Sequence, residues 1–479
     1  MSKPTRQFLV LVTGLVLAVA VVPVGQVSSA GQPQKGNVTA NISRNAAIVA
    51  TTTEVLKDTS EIRELSILRP VKSGAQSRSE IERMLTRNLE EQMSVADMHA
   101  TEVSLKKFGL APADFQYRQF ILKLLLEQVA GYYDPKMKEF HLADWLELEG
   151  QKPVMAHELT HALQDQHFNL RRFEKWPHGD SDAELAAHAL VEGDATLAMT
   201  IYMARNPLVA LAFSRSLMTG VSTEQYDQAP RAMRESLIFP YLQGSEWATQ
   251  LYRKGGWAMV SNAFTKLPLS SEQILHPEKY FNYERPVKIE LPDLTALLNQ
   301  SAVGSRESTS NKSQSAISNE HSANRSRRLS TAHRPLPTAA WHRIESDVSG
   351  EWSYYLILDQ FLNSASESKR AAAGWAGDRY ALYEGPENQV VLVQVAAWDT
   401  ENDAREFFDA YVKRTQLRYP GATQLDSDKT ADSKLATRDL RSWQTNEGGV
   451  KIELKGSRVF ILEGVPQGAN GDELLNALN

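Results

Sequence analysis

Residues 299–335 read NQSAVGSRESTSNKSQSAISNEHSANRSRRLSTAHRP, almost without large apolar side chains. A segment with nothing to bury cannot offset the conformational entropy lost on ordering. The composition therefore predicts a disordered linker over 299–335. It forces the chain to build two separate cores, one from residues 45–298 and one from residues 336–479. The chain, 479 residues with 42% apolar and 23% charged, has material for both.

At the N-terminus, Lys3 and Arg6 precede the apolar run FLVLVTGLVLAVAVVPV (8–24), and VSSA (27–30) follows with small residues. This predicts a signal peptide over 1–30, cleaved after Ala30. The alternative is an uncleaved membrane anchor, for which the run is near the lower length limit. In both cases the bulk of the chain is expected to be exported, to the periplasm or the extracellular space, and to touch a membrane only through the N-terminal segment if that stays uncleaved. Residues 31–44 read as a polar tether. The formal charge is −6 from 52 basic and 58 acidic groups. Without Lys3 and Arg6 it becomes 50 against 58, or −8. No basic stripe stands out, which argues against a nucleic-acid partner. The absence of cysteine excludes disulfides, thiolate metal sites and a cysteine nucleophile.

Between 45 and 298 helical patterning dominates. SRSE (77–80) has the spacing of a capping box and opens a helix through about residue 91. A second amphipathic helix is expected over 113–129, with Phe120, Leu124, Leu125 and Val129 on its apolar face. AGYYDPKMKEFHLAD (130–144) reads as a β-hairpin turning at Asp134-Pro135. Helices follow over 153–168 and 182–205, the latter ended by Asn206-Pro207. SSEQILHPEKYF (270–281) is a capped turn running into a proline, and VKIEL (287–291) a candidate strand. After the linker, a helix at 350–363, RYALYEG, VVLVQVAAWD, a helix at 402–418, RSWQT, VKIELKG, RVFILEGV and a terminal helix predict a small α+β unit with an antiparallel sheet. The expected class is α+β: a mostly helical N-terminal domain with a small β-hairpin, joined to that C-terminal unit.

The helix at 153–168 carries HELTHALQDQHF from residue 157. His157 and His161 leave one helix face about 6 Å apart, close enough for both imidazoles to take two corners of a zinc tetrahedron. Glu158 is rotated by about 100° from His157 and can reach solvent beside such an ion without being a ligand. A helix carrying exposed polar side chains for solubility is the alternative. Val154, Met155, Leu159, Ala162 and Leu163 supply an apolar stripe, so the helix is expected to bury one side and present the histidine pair on a neighbouring face.

A catalytic zinc needs a third protein ligand. In SDAELAAHALVEGDATLAM (181–199), Glu184, His188 and Glu192 share one helix face. Ser181 and Glu184 have capping-box spacing, which gives Glu184 a structural role. Glu192 lies two turns in, among Leu190, Val191 and Ala195, where a carboxylate without a cation is costly. Glu192 is therefore the preferred third ligand, with Glu184 next and His188 after it. Gly193 would let another backbone approach closely.

His157-Glu158-Leu159-Thr160-His161, followed on a second helix by Glu192 in VEGDA, resembles the gluzincin class of zinc metallopeptidases. The longer string AHELTHALQDQHF, with STEQYDQ, GGWAMV and SSEQILHPEKY, is similar to exported bacterial proteins assigned to that class, over roughly residues 125–285. The resemblance implies a zincin-like fold for the N-terminal domain and one Zn2+ held by His157, His161 and Glu192. It implies Glu158 as general base and a peptide or protein as substrate. Some gluzincins carry an aspartate four residues after the ligand glutamate to orient a histidine. That position is Thr196 here, Asp194 is expected to point elsewhere, and Asp165 is the candidate orienter. A donor for the developing oxyanion is expected from His276, or from Tyr132 or Tyr133. His276 has a structural alternative as a helix C-terminal cap.

The leading expectation is an exported zinc-dependent peptidase. The alternatives are a catalytically silent metallopeptidase-like protein that binds peptides or envelope partners, and an amidase acting on cell-wall peptides. By analogy with zincins, KEFHLAD (138–144) is expected to bind substrate backbone by strand addition.

Overall fold

The computed structural model describes residues 38–176, 179–220, 223–300, 340–425 and 439–478. The leader over 1–30 lies outside them, as does the linker over 299–335 except for residues 299 and 300. The fold is α+β. It comprises two compact units, the first running to Pro286 and including residues 350–352, the second comprising 287–349 and 353–479.

The first unit opens with α1 (Val38–Arg63). This corrects the tether expected over 31–44, because residues 38–44 are already helical. Ile48, Thr52, Val55, Thr59 and Ile62 are buried at three- and four-residue steps. Once that stripe anchors the helix, extending it backward costs little per residue. The chain continues through β1 (Lys72–Gln76), α2 (Arg78–Gln92), α3 (Val95–Lys107), α4 (Tyr117–Gln128), β2 (Gly131–Asp134) and β3 (Glu139–Ala143). The Ser77–Glu80 capping box forms at the start of α2, with Ser77 N donating to Glu80 Oε2 at 2.8 Å.

The hairpin of β2 and β3 is present, and β1 joins it as a third strand in the order β1-β3-β2. β1 runs parallel to β3, pairing Lys72 with Glu139 through Gln76 with Ala143. β3 is therefore the central strand, and both of its edges are paired. That corrects the expectation that KEFHLAD receives a substrate strand. The sequence KSGAQ of β1 has no alternating apolar pattern, so nothing local announced it.

α5 (Leu148–Phe168) and α6 (Ser181–Arg205) carry the histidine motif and Glu192. α5 begins five residues before Pro153, so the proline sits in the second turn and leaves the Glu149 carbonyl without its intrahelical donor. Next come α7 (Pro207–Gly220), α8 (Glu224–Gln228) and α9 (Arg231–Ala263), then α10 (Ser271–Leu275) and α11 (Pro277–Asn282). α9 kinks where Gly256 adopts φ 62, a conformation that glycine adopts without a Cβ penalty. α6 and α9 meet backbone to backbone. A Cβ on Gly193 would lie 2.2 Å from the Gly244 carbonyl group, and one on Gly244 2.2 Å from Ala189 O. The close approach expected at Gly193 is thus present.

In the second unit the candidate strand VKIEL is not a strand. It carries one backbone bond, Val287 N to Ala376 O at 2.7 Å, and its Ile289 joins this unit's core. That moves the start of this unit to residue 287, earlier than the expected 336. α12 (295–300) follows, and its Leu298, with Leu294 just before it, packs into the same core. β4 (His342–Asp347), α13 (Gly350–Leu362), α14 (Ala365–Ala372), β5 (Trp375–Glu384), β6 (Val390–Trp398), α15 (Glu401–Arg418), β7 (Thr423–Leu425), β8 (Asp439–Thr445), β9 (Gly448–Lys455), β10 (Arg458–Val465) and α16 (Gly471–Asn476) complete it.

The seven strands form an antiparallel sheet in the order β4-β5-β6-β10-β9-β8-β7. Val391, Val393 and Val395 of β6 face a core with Leu294, Leu298, Leu474 and Leu475. Trp398 at the end of β6 stacks near Phe407 of α15, ring centroids 4.4 Å apart. Both faces of β6 are covered, which is why its sequence reads as an unbroken apolar run rather than an alternation.

Candidate metal centre

α5 is buried on every side between Pro153 and Asp165, not on one stripe. That corrects the expectation of a one-sided helix and removes the alternative of polar side chains placed for solubility. His157 and His161 are each 1% exposed, and Glu158 and Gln164 fully buried. Polar groups at that depth need partners.

α6 brings one such partner. Glu192, fully buried, places Oε2 at 3.0 Å from His157 Nε2 and 3.3 Å from His161 Nε2. The two ring nitrogens are 3.1 Å apart. Three potential ligand atoms thus form a triangle with edges of 3.0 to 3.3 Å. Ligands on zinc bonds of about 2.0–2.1 Å at tetrahedral angles are separated by about 3.3–3.4 Å. The triangle fits a zinc ion with shifts of a few tenths of an ångström. Hydrogen bonding alone explains it less well, because two imidazoles and a carboxylate all turn toward one point.

Glu192 also meets the requirement of charge. Burial works against its carboxylate, but His161 and His157 overrule that and hold it down to about 2. For His161 burial likewise opposes the charged ring, and Glu192 outweighs it, holding its pKa above the usual histidine value. A divalent cation would take over this role of balancing Glu192.

Glu158 lies in the same cluster, its ligand-capable oxygen within 4.8 Å of those of His157 and His161. Its Oε2 accepts from Tyr133 N of β2 at 2.8 Å. The hairpin therefore contributes to the site through a backbone donor on the outer strand. The side chains of its tyrosines are engaged elsewhere: Tyr132 Oη donates to Gln76 at 2.7 Å and Tyr133 Oη to Asp165 at 2.9 Å.

Of the reserve ligands, His188 supplies none of the three atoms of the triangle. His188 Nε2 is 4.0 Å from Glu192 Oε1. The expected Ser181–Glu184 capping box does not form. Asp180 caps α6 instead, accepting from Ala183 N at 3.2 Å. His276 occupies the C-cap of α10, as its structural alternative anticipated, and bonds Glu351 at 2.9 Å. None of its hydrogen-bond or ion-pair partners belongs to the histidine–glutamate cluster.

Asp165 does not orient a histidine. It takes Arg69 at 2.8 Å, the Tyr133 hydroxyl, and Leu170 N at 3.2 Å. The partner of His161 Nδ1 is Gln164 Oε1 at 2.8 Å, and Asp194, expected to point elsewhere, bonds that same glutamine at 2.9 Å. The i, i+3 spacing of His161 and Gln164 was a legible signal for this contact.

Tyr241 of α9 is the other residue that sequence reasoning missed. Its ring stacks on His157 with centroids 6.0 Å apart and an interplanar angle of 28°. Burial, then the negative charge of Glu192 and Glu158, push its hydroxyl well above the usual tyrosine range, so it stays a donor. No local pattern pointed to it, because its approach to the site depends on the α6–α9 packing.

The family model described as "Domain of unknown function (DUF8575)" matches residues 337–475. No curated protein and no solved structure matches the chain.

Proposed function

We propose that the first unit is a zinc-dependent peptidase, with His157, His161 and Glu192 as ligands and Glu158 as general base. The observation that carries the reading is the buried triangle of two Nε2 atoms and one carboxylate oxygen beside a second carboxylate. Zinc, when bound there, polarises the scissile carbonyl and acidifies water.

Glu158, fixed by Tyr133 N, is held to take the proton of an attacking water and to pass it to the leaving amine. The Tyr241 hydroxyl, on a ring stacked against His157 and carried by α9, is the donor for the negative charge that develops on the substrate oxygen. Among these residues Tyr241 alone is partly exposed, so substrate approaches along α9. The apolar run over 8–24 supports export of this activity from the cytoplasm, and the substrate in this reading is a peptide or protein.

The second reading, a silent relative that binds without turnover, draws on the near-complete burial of the cluster. Both readings are separated by one comparison. Wild-type protein should hold about one zinc per chain and cleave unstructured peptides, and E158Q should keep the metal and lose turnover. Zinc retention with no turnover in wild type supports the silent reading, and no stoichiometric metal in wild type removes both.

A further inference from the structure

An imidazole that coordinates through Nε2 has its proton on Nδ1, and the partner of Nδ1 sets which nitrogen is free. For His161 that partner is an amide, which can rotate to offer oxygen or nitrogen. The far side of the amide decides. Gln164 Nε2 meets two acceptors, Val191 O at 3.0 Å and Asp194 Oδ2 at 2.9 Å. Rotating the amide would set its oxygen against both and its NH2 against His161 Nδ1.

Asp194 is itself immobilised. Its Oδ1 takes Arg63 Nε at 2.5 Å, with both side chains fully buried. Arg63 lies 4.5 Å over the Trp257 ring and donates to Ser261 at 3.1 Å. α1, α6 and α9 thus converge behind one ring nitrogen of α5. His157 has no counterpart: its Nδ1 meets no hydrogen-bond partner among the described residues.

We propose that Arg63, Asp194 and Gln164 form a directional chain that keeps the proton of His161 on Nδ1 and reserves Nε2 for the metal. Gln164 and Asp194 are positioning residues. The aspartate acts on the histidine only through the glutamine, and the neutral amide achieves this without adding a further carboxylate to Glu192 and Glu158. The metal-affinity part of this inference rests on the proposed zinc site, whereas the protonation part does not.

The test uses full-length protein with 15N-labelled histidine, prepared metal-free and zinc-loaded, as wild type, Q164L, D194N and the double variant. In wild type the His161 Nδ1–H should give a proton resonance protected from solvent exchange. Q164L should lose that protection and bind zinc about 10–100-fold more weakly. D194N, which leaves the His161–Gln164 contact in place, should move both readouts in the same direction by less. The double variant should be no worse than Q164L alone, because the residues act in series.

Wild-type affinity and an intact Nδ1–H signal in Q164L would overturn the proposal. So would losses confined to Q164L, which leave Gln164 as a local contact with no chain behind it. Circular dichroism of each variant checks folding. If Q164L does not fold, D194N carries the decision by the same two readouts. If wild type takes up no zinc, metal-free spectra recorded above the His161 titration, where the ring is neutral, still decide the protonation claim, so that failure is separate from failure of the peptidase reading.

Discussion

Gly193→Ala sets two effects of opposite sign against each other. Helix propensity favours alanine over a mid-helix glycine by about 1 kcal/mol. Packing opposes it. The added Cβ would sit 2.2 Å from the carbonyl carbon and oxygen of Gly244, about 1.2 Å short of the 3.4 Å at which ordinary contact begins. The obstacle is backbone, so no side chain can swing aside and α6 and α9 must separate. Overpacking of this kind costs about 1–3 kcal/mol, occasionally more, and a rigid obstacle belongs at the upper end. The net expectation is about 2 kcal/mol of destabilisation, or roughly 4–8 °C in the melting temperature of a unit this size. The separation also draws Tyr241 of α9 away from His157 and Glu192, so turnover should fall by more than the zinc content does. Differential scanning calorimetry measures the first effect, and peptide turnover beside zinc content measures the second. A G193A protein as stable as wild type would mean that the helices do not touch at these glycines, and the position assigned to Tyr241 would fail with them.

Arg63→Ala leaves the Asp194 carboxylate buried without its cation, and breaking a buried pair costs about 3–5 kcal/mol. A melting temperature within a degree or two of wild type would contradict the burial assigned to that pair. Chelating zinc should lower the melting temperature of the first unit, since a ligand at 100 times its Kd stabilises by about 2.7 kcal/mol. An unchanged melt with and without chelator would deny a specific site. At the start of α2, the Ser77 backbone and side chain hold Glu80 below its usual carboxylate range. Because the folded value is depressed, the stabilisation is present above about pH 4.5 and is lost as pH falls through the folded value. Ser77→Ala should raise the Glu80 pKa in a carboxyl 13C titration, and an unmoved titration would refute the capping box.

The parts of this protein that were legible in its sequence are those where a side chain's role is set within one or two helical turns. The spacing of His157, Glu158 and His161 fixes which side chains share a face of α5, and Ser77 with Glu80 fixes a helix start. The apolar runs of β5, β6, β9 and β10 and the helices between them gave the α+β class of the second unit. Glu192 was accessible for a related reason: a carboxylate two turns inside an apolar helix is costly unless something cationic meets it.

What the sequence left open required knowing which elements meet. β1 has no apolar alternation, yet by pairing with β3 it turns an expected edge into a central strand. Asp165 and Asp194 are both aspartates near the site in sequence, and only the convergence of α1, α5 and α6 assigns one to Arg69 and Tyr133 and the other to Gln164 and Arg63. Tyr241 reaches His157 because two glycines let α6 and α9 touch. Local chemistry determined which groups were available to bind a metal. Long-range packing decided which of them face one point, because an interaction between residues far apart in sequence leaves no periodic trace in either segment.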